Sequence, residues 1–331
     1  IIKRIFHIIA SFTFGLLIYF IYLIITKKYT KKMGETAKVN GIDIWWEDFG
    51  DPKNPSVVFI MGAYTNSQAW PMSLINLLVR NNFHVVRFDN RDSGKSTWFG
   101  KRNFFENLIK FIPSFIVKLL IRYVVQSNYK KSPNPNNVNS PYDLKDMAID
   151  TLALLKYLKI EKAHLVGASM GGLIAQTIAL NNPEKVRSLT LMITSPGIRD
   201  KKLSQPDPKF LEGMIDSALL MIKNNQKEAM LKTFKSSLGS RFSYNDEEVE
   251  EIFNIISTHG INTYAFHSKA IEKTPSYLGR LNRIKAPTLI INGSEDPLIP
   301  LDHAKALAKG IINSQLFIME GVGHELPEDL M

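Results

Sequence analysis

The chain has 331 residues, 45% of them apolar, enough for one large core or two modest ones and too apolar for a disordered or collagen-like protein. It contains no cysteine, which excludes disulfides, thiolate zinc sites and a cysteine nucleophile. The net charge of +10 is confined to two places: residues 1–32 hold six bases and no acid, residues 101–131 hold seven bases and one acid, and the remainder carries 28 bases against 30 acids. Basic trim on two apolar segments points to a membrane surface and away from a nucleic-acid face.

Residues 5–26 form a run of 22 without formal charge, in which only His7, Ser11, Thr13 and Thr26 are clearly polar. At 1.5 Å per residue it spans the roughly 30 Å hydrocarbon core of a bilayer. It ends in Thr26-Lys27-Lys28 with no small-residue cleavage site, so residues 1–32 are expected to be an uncleaved transmembrane anchor with a basic flank, and not a signal peptide. Lys27, Lys28, Lys31 and Lys32 outnumber Lys3 and Arg4, which favours a single-pass topology with the large domain on the cytoplasmic side.

Beyond the anchor, strand and helix signals alternate. Residues 37–49 read as two short strands joined at Asn40-Gly41. SVVFIMG (56–62) is a short β-branched run suited to the centre of a parallel sheet. A helix around 71–81 leads to a strand at 84–91, in which Asp89 and Arg91 are expected to brace a loop. In residues 104–126 the polar side chains Glu106, Lys110, Ser114, Lys118, Arg122 and Gln126 recur every fourth position among apolar neighbours, which marks a helix with a narrow polar stripe started or interrupted at Pro113. Either it packs into the body of the protein with its cations solvated, or it is an interfacial helix that meets membrane lipid.

A Pro- and Asn-rich linker (132–141) precedes a helix at 143–158, with acids early and lysine late. A strand at 163–169 and a helix at 172–183 follow, then strands at 188–194, 286–293 and 314–320. Between 195 and 285 the strand signal gives way to Lys- and Glu-rich helical sequence. The expected architecture is an α/β fold with a mostly parallel sheet flanked by helices. Its core comprises residues 33–194, with a variable insertion at 98–141, and 286–331; residues 195–285 are a helical cap.

Gly167-Ala168-Ser169-Met170-Gly171 lies between a strand and a helix. A turn this sharp leaves no room for a Cβ at Gly167 or Gly171, and its strain pushes the Ser169 hydroxyl above the sheet as a nucleophile. Such a hydroxyl needs a base oriented by a carboxylate. Asp296 and His324 each follow a strand at the C-terminal edge of the sheet, in the order Ser…Asp…His.

With these motifs the chain resembles the α/β-hydrolase family over about residues 37–331. Met61-Gly62 in place of the usual His-Gly, FDNRDSGKST and GVGHELP make it similar to carboxylesterases of the aclacinomycin methylesterase type. The resemblance implies an α/β-hydrolase fold, no cofactor, and a triad of Ser169, Asp296 and His324; the acid is placed before Pro297, which prefers Asp296 to Glu295. It also implies an oxyanion hole made by the backbone N–H groups of Ala63 and Met170. Ala168 stands where many relatives have histidine, the 98–141 stretch is long, and the chain stops seven residues past His324, where the family adds a helix, so a fragment at both ends is expected.

The expected function is a serine hydrolase that cleaves a small, lipophilic carboxylic ester through an acyl-enzyme. An acyltransferase, lipase or aminopeptidase on the same triad, and a non-catalytic membrane-tethered binding module, are the alternatives. Gly94-Lys95-Ser96 lacks the first glycine of a P-loop, and Ser169 breaks the dinucleotide fingerprint. His84, His164, His259, His267 and His303 have no metal-like spacing, so no metal site is expected.

Overall fold

Asn40 and Gly41 both take positive φ, 49° and 76°, the twist that a two-residue hairpin turn requires. They join β1 (Glu35–Val39) to β2 (Ile42–Phe49) at the start of what the computed structural model describes, namely residues 34–100, 111–130, 134–223, 225–262 and 265–327. The expected membrane anchor at 5–26, and residues 104–110 of the polar-striped segment, lie outside the described residues. Among the described residues, no helix is long and apolar enough to cross a membrane.

The remaining strands are β3 (Ser56–Ile60), β4 (His84–Phe88), β5 (Ala163–Ala168), β6 (Val186–Met192), β7 (Thr288–Gly293) and β8 (Ser314–Met319). They form one sheet in the order β1-β2-β4-β3-β5-β6-β7-β8. β1, β2 and β4 are joined by antiparallel ladders and every other pairing is parallel. β3 is buried along its whole length because helices cover both faces of the sheet. Its residues divide with period two: Val58 and Ile60 join the cluster around Ile174 and Leu154, while Val57 and Phe59 join Trp70 and Ile75 on the other face.

The helices of this core are α1 (Met72–Arg80), α2 (Ser114–Lys130), α3 (Leu144–Tyr157) and α4 (Met170–Asn181). At the start of α3, Asp143 accepts from the Lys145 and Asp146 amides while Asp146 accepts from the Asp143 amide, a reciprocal capping box. From 195 to 285 the described residues carry no strand. Four helices fill the interval, α5 (Pro208–Ile222), α6 (Gln226–Ser237), α7 (Asp246–His259) and α8 (His267–Lys273), before α9 (Leu301–Gly310) closes the last crossover between β7 and β8.

Within the described part of α2, two cations of the polar stripe are paired while remaining partly exposed. The helix starts directly after Pro113 and packs on α5, where Lys118 pairs with Asp216 and Arg122 with Glu212 at 2.8 Å. Lys232 of α6 reaches the same Asp216, and the two lysines hold its carboxyl below the ordinary range. Val117 is buried, while Phe115, Leu119, Leu120 and Tyr123 are exposed.

Candidate active site

β5 ends at Ala168 and α4 begins at Met170, so Ser169 alone reverses the chain. It does so at φ 53° and ψ −118°, a conformation that an L-residue adopts only under constraint. The constraint is a pair of hydrogen bonds, from the Ser169 amide to the Met192 carbonyl (2.9 Å) and from the Thr194 hydroxyl to the Ser169 carbonyl (2.6 Å). The flanking glycines are sterically required. A Cβ at Gly171 would lie 1.9 Å from the Ile60 carbonyl oxygen, and one at Gly167 would lie 2.4 Å from that of Gly171.

Asp296 and His324 lie beyond the ends of β7 and β8. The buried Asp296 accepts the Leu298 and Ile299 amides on Oδ1, at 2.9 and 2.7 Å, which leaves Oδ2 for Nδ1 of His324 at 2.8 Å. A carboxylate only accepts, so the imidazole carries its hydrogen on Nδ1 and turns the bare Nε2 toward the Ser169 hydroxyl, 3.2 Å away. The geometry thus joins Ser169, His324 and Asp296 in one chain of hydrogen bonds. Glu295 is turned elsewhere, toward the Ser240 amide and hydroxyl.

The histidine loop is held from the helical insertion. The His324 amide donates to the carbonyl of Ser237 at 2.7 Å, and Glu325 accepts from the amides of Gly239 and Gly323.

Met170 is the first residue of α4, so its N–H has no upstream helical carbonyl to receive it. The loop after β3 runs close against the serine: a Cβ on Gly62 would be 3.2 Å from that of Ser169, and Ala63 follows directly. This loop is stapled on two sides. Asn90 donates to the Met61 carbonyl (2.9 Å), and the Tyr64 amide donates to Nδ1 of His267 (3.0 Å) in α8. Nε2 of His267 donates in turn to the Arg91 carbonyl at 2.9 Å, so the ring is fully committed in one neutral tautomer. Burial pushes the His267 pKa down, against the opposing influence of that carbonyl and of Asp92.

The FDNRDSGK segment lies beneath this loop. Asp89 accepts from the amide and hydroxyl of Ser67, from the Lys95 amide and from His259. Arg91 forms a buried two-pronged pair with Asp150.

His267, Ser237 and Glu325 escape a sequence reading because nothing local marks them. The Tyr64–His267 contact spans 203 positions and the Gly239–Glu325 contact spans 86. His84 bonds to Ser56 and Asp48, His164 to Ser188, and His303 to Ser195. Among the described residues, no group of histidines and carboxylates could hold a metal ion.

Comparison with known proteins agrees with this topology. Residues 55–329 match the family model described as the alpha/beta hydrolase fold. Two curated relatives are rhodomycin D methylesterases, from Streptomyces sp. (strain C5) and Streptomyces peucetius; each is 24% identical, over 86% of this chain and 90% of the relative. An esterase from Exiguobacterium antarcticum superposes with a TM-score of 0.65 at 20% identity, covering 90% of this chain and 95% of its own. The chain belongs to the family of the alpha/beta hydrolase fold.

Proposed function

We propose that the chain is a serine carboxylic ester hydrolase that works through an acyl-enzyme intermediate. The observation that carries this reading is the position of His324, hydrogen-bonded to Asp296 on one ring nitrogen and to the Ser169 hydroxyl on the other. The names of the methylesterase relatives support an ester as the bond cleaved.

In this mechanism His324 Nε2 takes the proton of Ser169 as its Oγ attacks the ester carbonyl, and Asp296 stabilises the imidazolium. The tetrahedral oxyanion rests on the N–H groups of Ala63 and Met170, each worth roughly 3 kcal/mol to the transition state. The alcohol leaves with the proton from His324. Water, deprotonated by the same ring, then attacks the acyl-serine and releases the acid, returning Ser169 and His324 to their starting state.

Residues 195–285 act as a cap over the site, and residues 5–26 tether the enzyme to a bilayer as a single-pass anchor. The lysines after the run favour a cytoplasmic catalytic domain. A tethered enzyme gains most from a lipophilic ester, which is the substrate class we assign.

The test is intact-mass analysis after exposure to a fluorophosphonate. Wild type should gain one adduct and Ser169→Ala none, with ester turnover in that variant lower by about 10⁴-fold or more. A folded wild type that takes no adduct would reject the mechanism and leave a binding module. Faster turnover with an added alcohol, and a new ester among the products, would make the enzyme a transferase.

A further inference from the structure

Helix α2 is built the opposite way round from a surface helix of a water-soluble domain. Its cations Lys118 and Arg122, both partly exposed, lie against α5, where they meet Asp216 and Glu212. Val117 is buried, and most of the helix's other rings and aliphatic side chains are exposed. Phe115, Leu119 and Tyr123 stand in one row at fourfold spacing with Leu120 beside them, and Phe111 precedes the helix; Phe111 is 85% exposed and Tyr123 73%. An apolar patch of this kind, contiguous and aromatic, marks an interaction surface.

Two further features say what covers it. The 22-residue uncharged run at 5–26 is followed by only eight residues, 27–34, before β1, a reach of at most about 28 Å. If that run is in a bilayer, as proposed above, lipid is the nearest large apolar surface available to the domain. The sequence around α2 is also basic, with Lys101, Arg102 and Lys110 on one side and Lys130 and Lys131 on the other. That composition suits anionic headgroups and disfavours the approach of a second copy carrying the same charges.

We propose that the outward face of α2, formed by Phe111, Phe115, Leu119, Leu120 and Tyr123, docks into the interfacial layer of an anionic bilayer. The inference rests on the membrane reading of residues 5–26 and adds a second contact to it. The ion pairs hold Lys118 and Arg122 of this helix against α5. They also link the docked helix to the active site. The amide of Asp207, at the start of α5, donates to the carbonyl of Pro297, the neighbour of Asp296, at 2.7 Å.

The absence of cysteine makes the test clean. The full chain carrying Leu119→Cys, labelled with an environment-sensitive fluorophore, is reconstituted in vesicles of phosphatidylcholine and phosphatidylglycerol, with Lys305→Cys on α9 as the control site. Emission from position 119 should shift to the blue and be quenched by lipid-borne nitroxides, while position 305 stays unquenched. If the protein floats with the vesicles but position 119 is as wet as 305, the inference fails and the anchor stands. A shielded probe that lipid nitroxides do not quench would assign the face to a protein partner and overturn it. Failure to float would remove the anchor and this inference together.

The readout needs no turnover, so it is independent of the ester assignment. In a second arm, Leu119→Asp with Leu120→Asp should lower hydrolysis of a vesicle-borne ester about tenfold and leave a short-chain soluble ester unaffected. An equal loss on both substrates would mean a folding defect and would count against docking.

Discussion

Ser169 is recognisable in the sequence because the strained turn demands small residues on both sides of it, a local requirement that leaves a local trace. His324 and Asp296 are recognisable because each directly follows a strand. His267 leaves no such trace. It is a lone histidine whose partners, the Tyr64 amide and the Arg91 carbonyl, are backbone groups far away in the chain. In the proposed mechanism it is a positioning residue that fixes the loop bearing Ala63. His267→Leu would leave the Tyr64 N–H without its acceptor, and kcat should fall by about tenfold or more with KM for a short ester little changed. An unchanged kcat would show that the loop holds itself.

The same histidine carries a pH signature. Burial lowers its native pKa below the ordinary 6.5, so the unfolded chain takes up a proton here at higher pH than the native state does. Its contribution to stability is therefore whole above about pH 6.5 and is lost as the pH falls from there toward the lowered native value. Urea midpoints at about pH 7.5 and 5.5 should differ more in wild type than in His267→Asn. His164, whose pKa burial also lowers, is common to both proteins and cancels in the difference.

Among the elements, the buried strands follow from unbroken β-branched runs, and α3 follows from its acidic start. Asp143→Ala should lower stability by about 1 kcal/mol in urea unfolding, because it removes the acceptor for two first-turn amides. The junction of β5 and α4 is less forgiving. Gly171→Ala would force α4 away from the Ile60 carbonyl and should cost about 3 kcal/mol or more, with the soluble yield of folded protein as a second readout. What the sequence could not supply was the facing of α2. Fourfold spacing fixes that a helix has a polar stripe, but not whether a carboxylate-bearing partner such as α5 lies opposite it. The same spacing would serve a helix with its cations in water.

At the scale of the whole molecule, the helical insertion and the sheet are joined at sites that are themselves chemically important: Tyr64 to His267, His324 to Ser237, and Asn66 to the carbonyls of Ile256 and Gly260. Losing the insertion would release all of them, so sheet and insertion should unfold together. All four tryptophans fall between positions 45 and 98. Trp46 packs on Tyr157 and Trp70 on Phe59, while Trp45 meets His259 of α7. In Trp45→Phe the fluorescence therefore reports mainly the sheet side, whereas far-UV dichroism includes the insertion helices. The two denaturation curves should coincide, and an earlier helical transition would show the insertion to be an independent unit.

The separation of 155 positions between Ser169 and the histidine beside it has a consequence for biosynthesis. A growing polypeptide leaves the ribosome with the serine, its elbow and the following helices long before residue 324 is added. Until then the hydroxyl has no base. The last strand and the loop after it must then dock on Ser237, within residues made earlier, before that base is held in place. Translation order therefore acts as a safety catch: until residue 324 has been made and its loop has docked, the serine stays without its base.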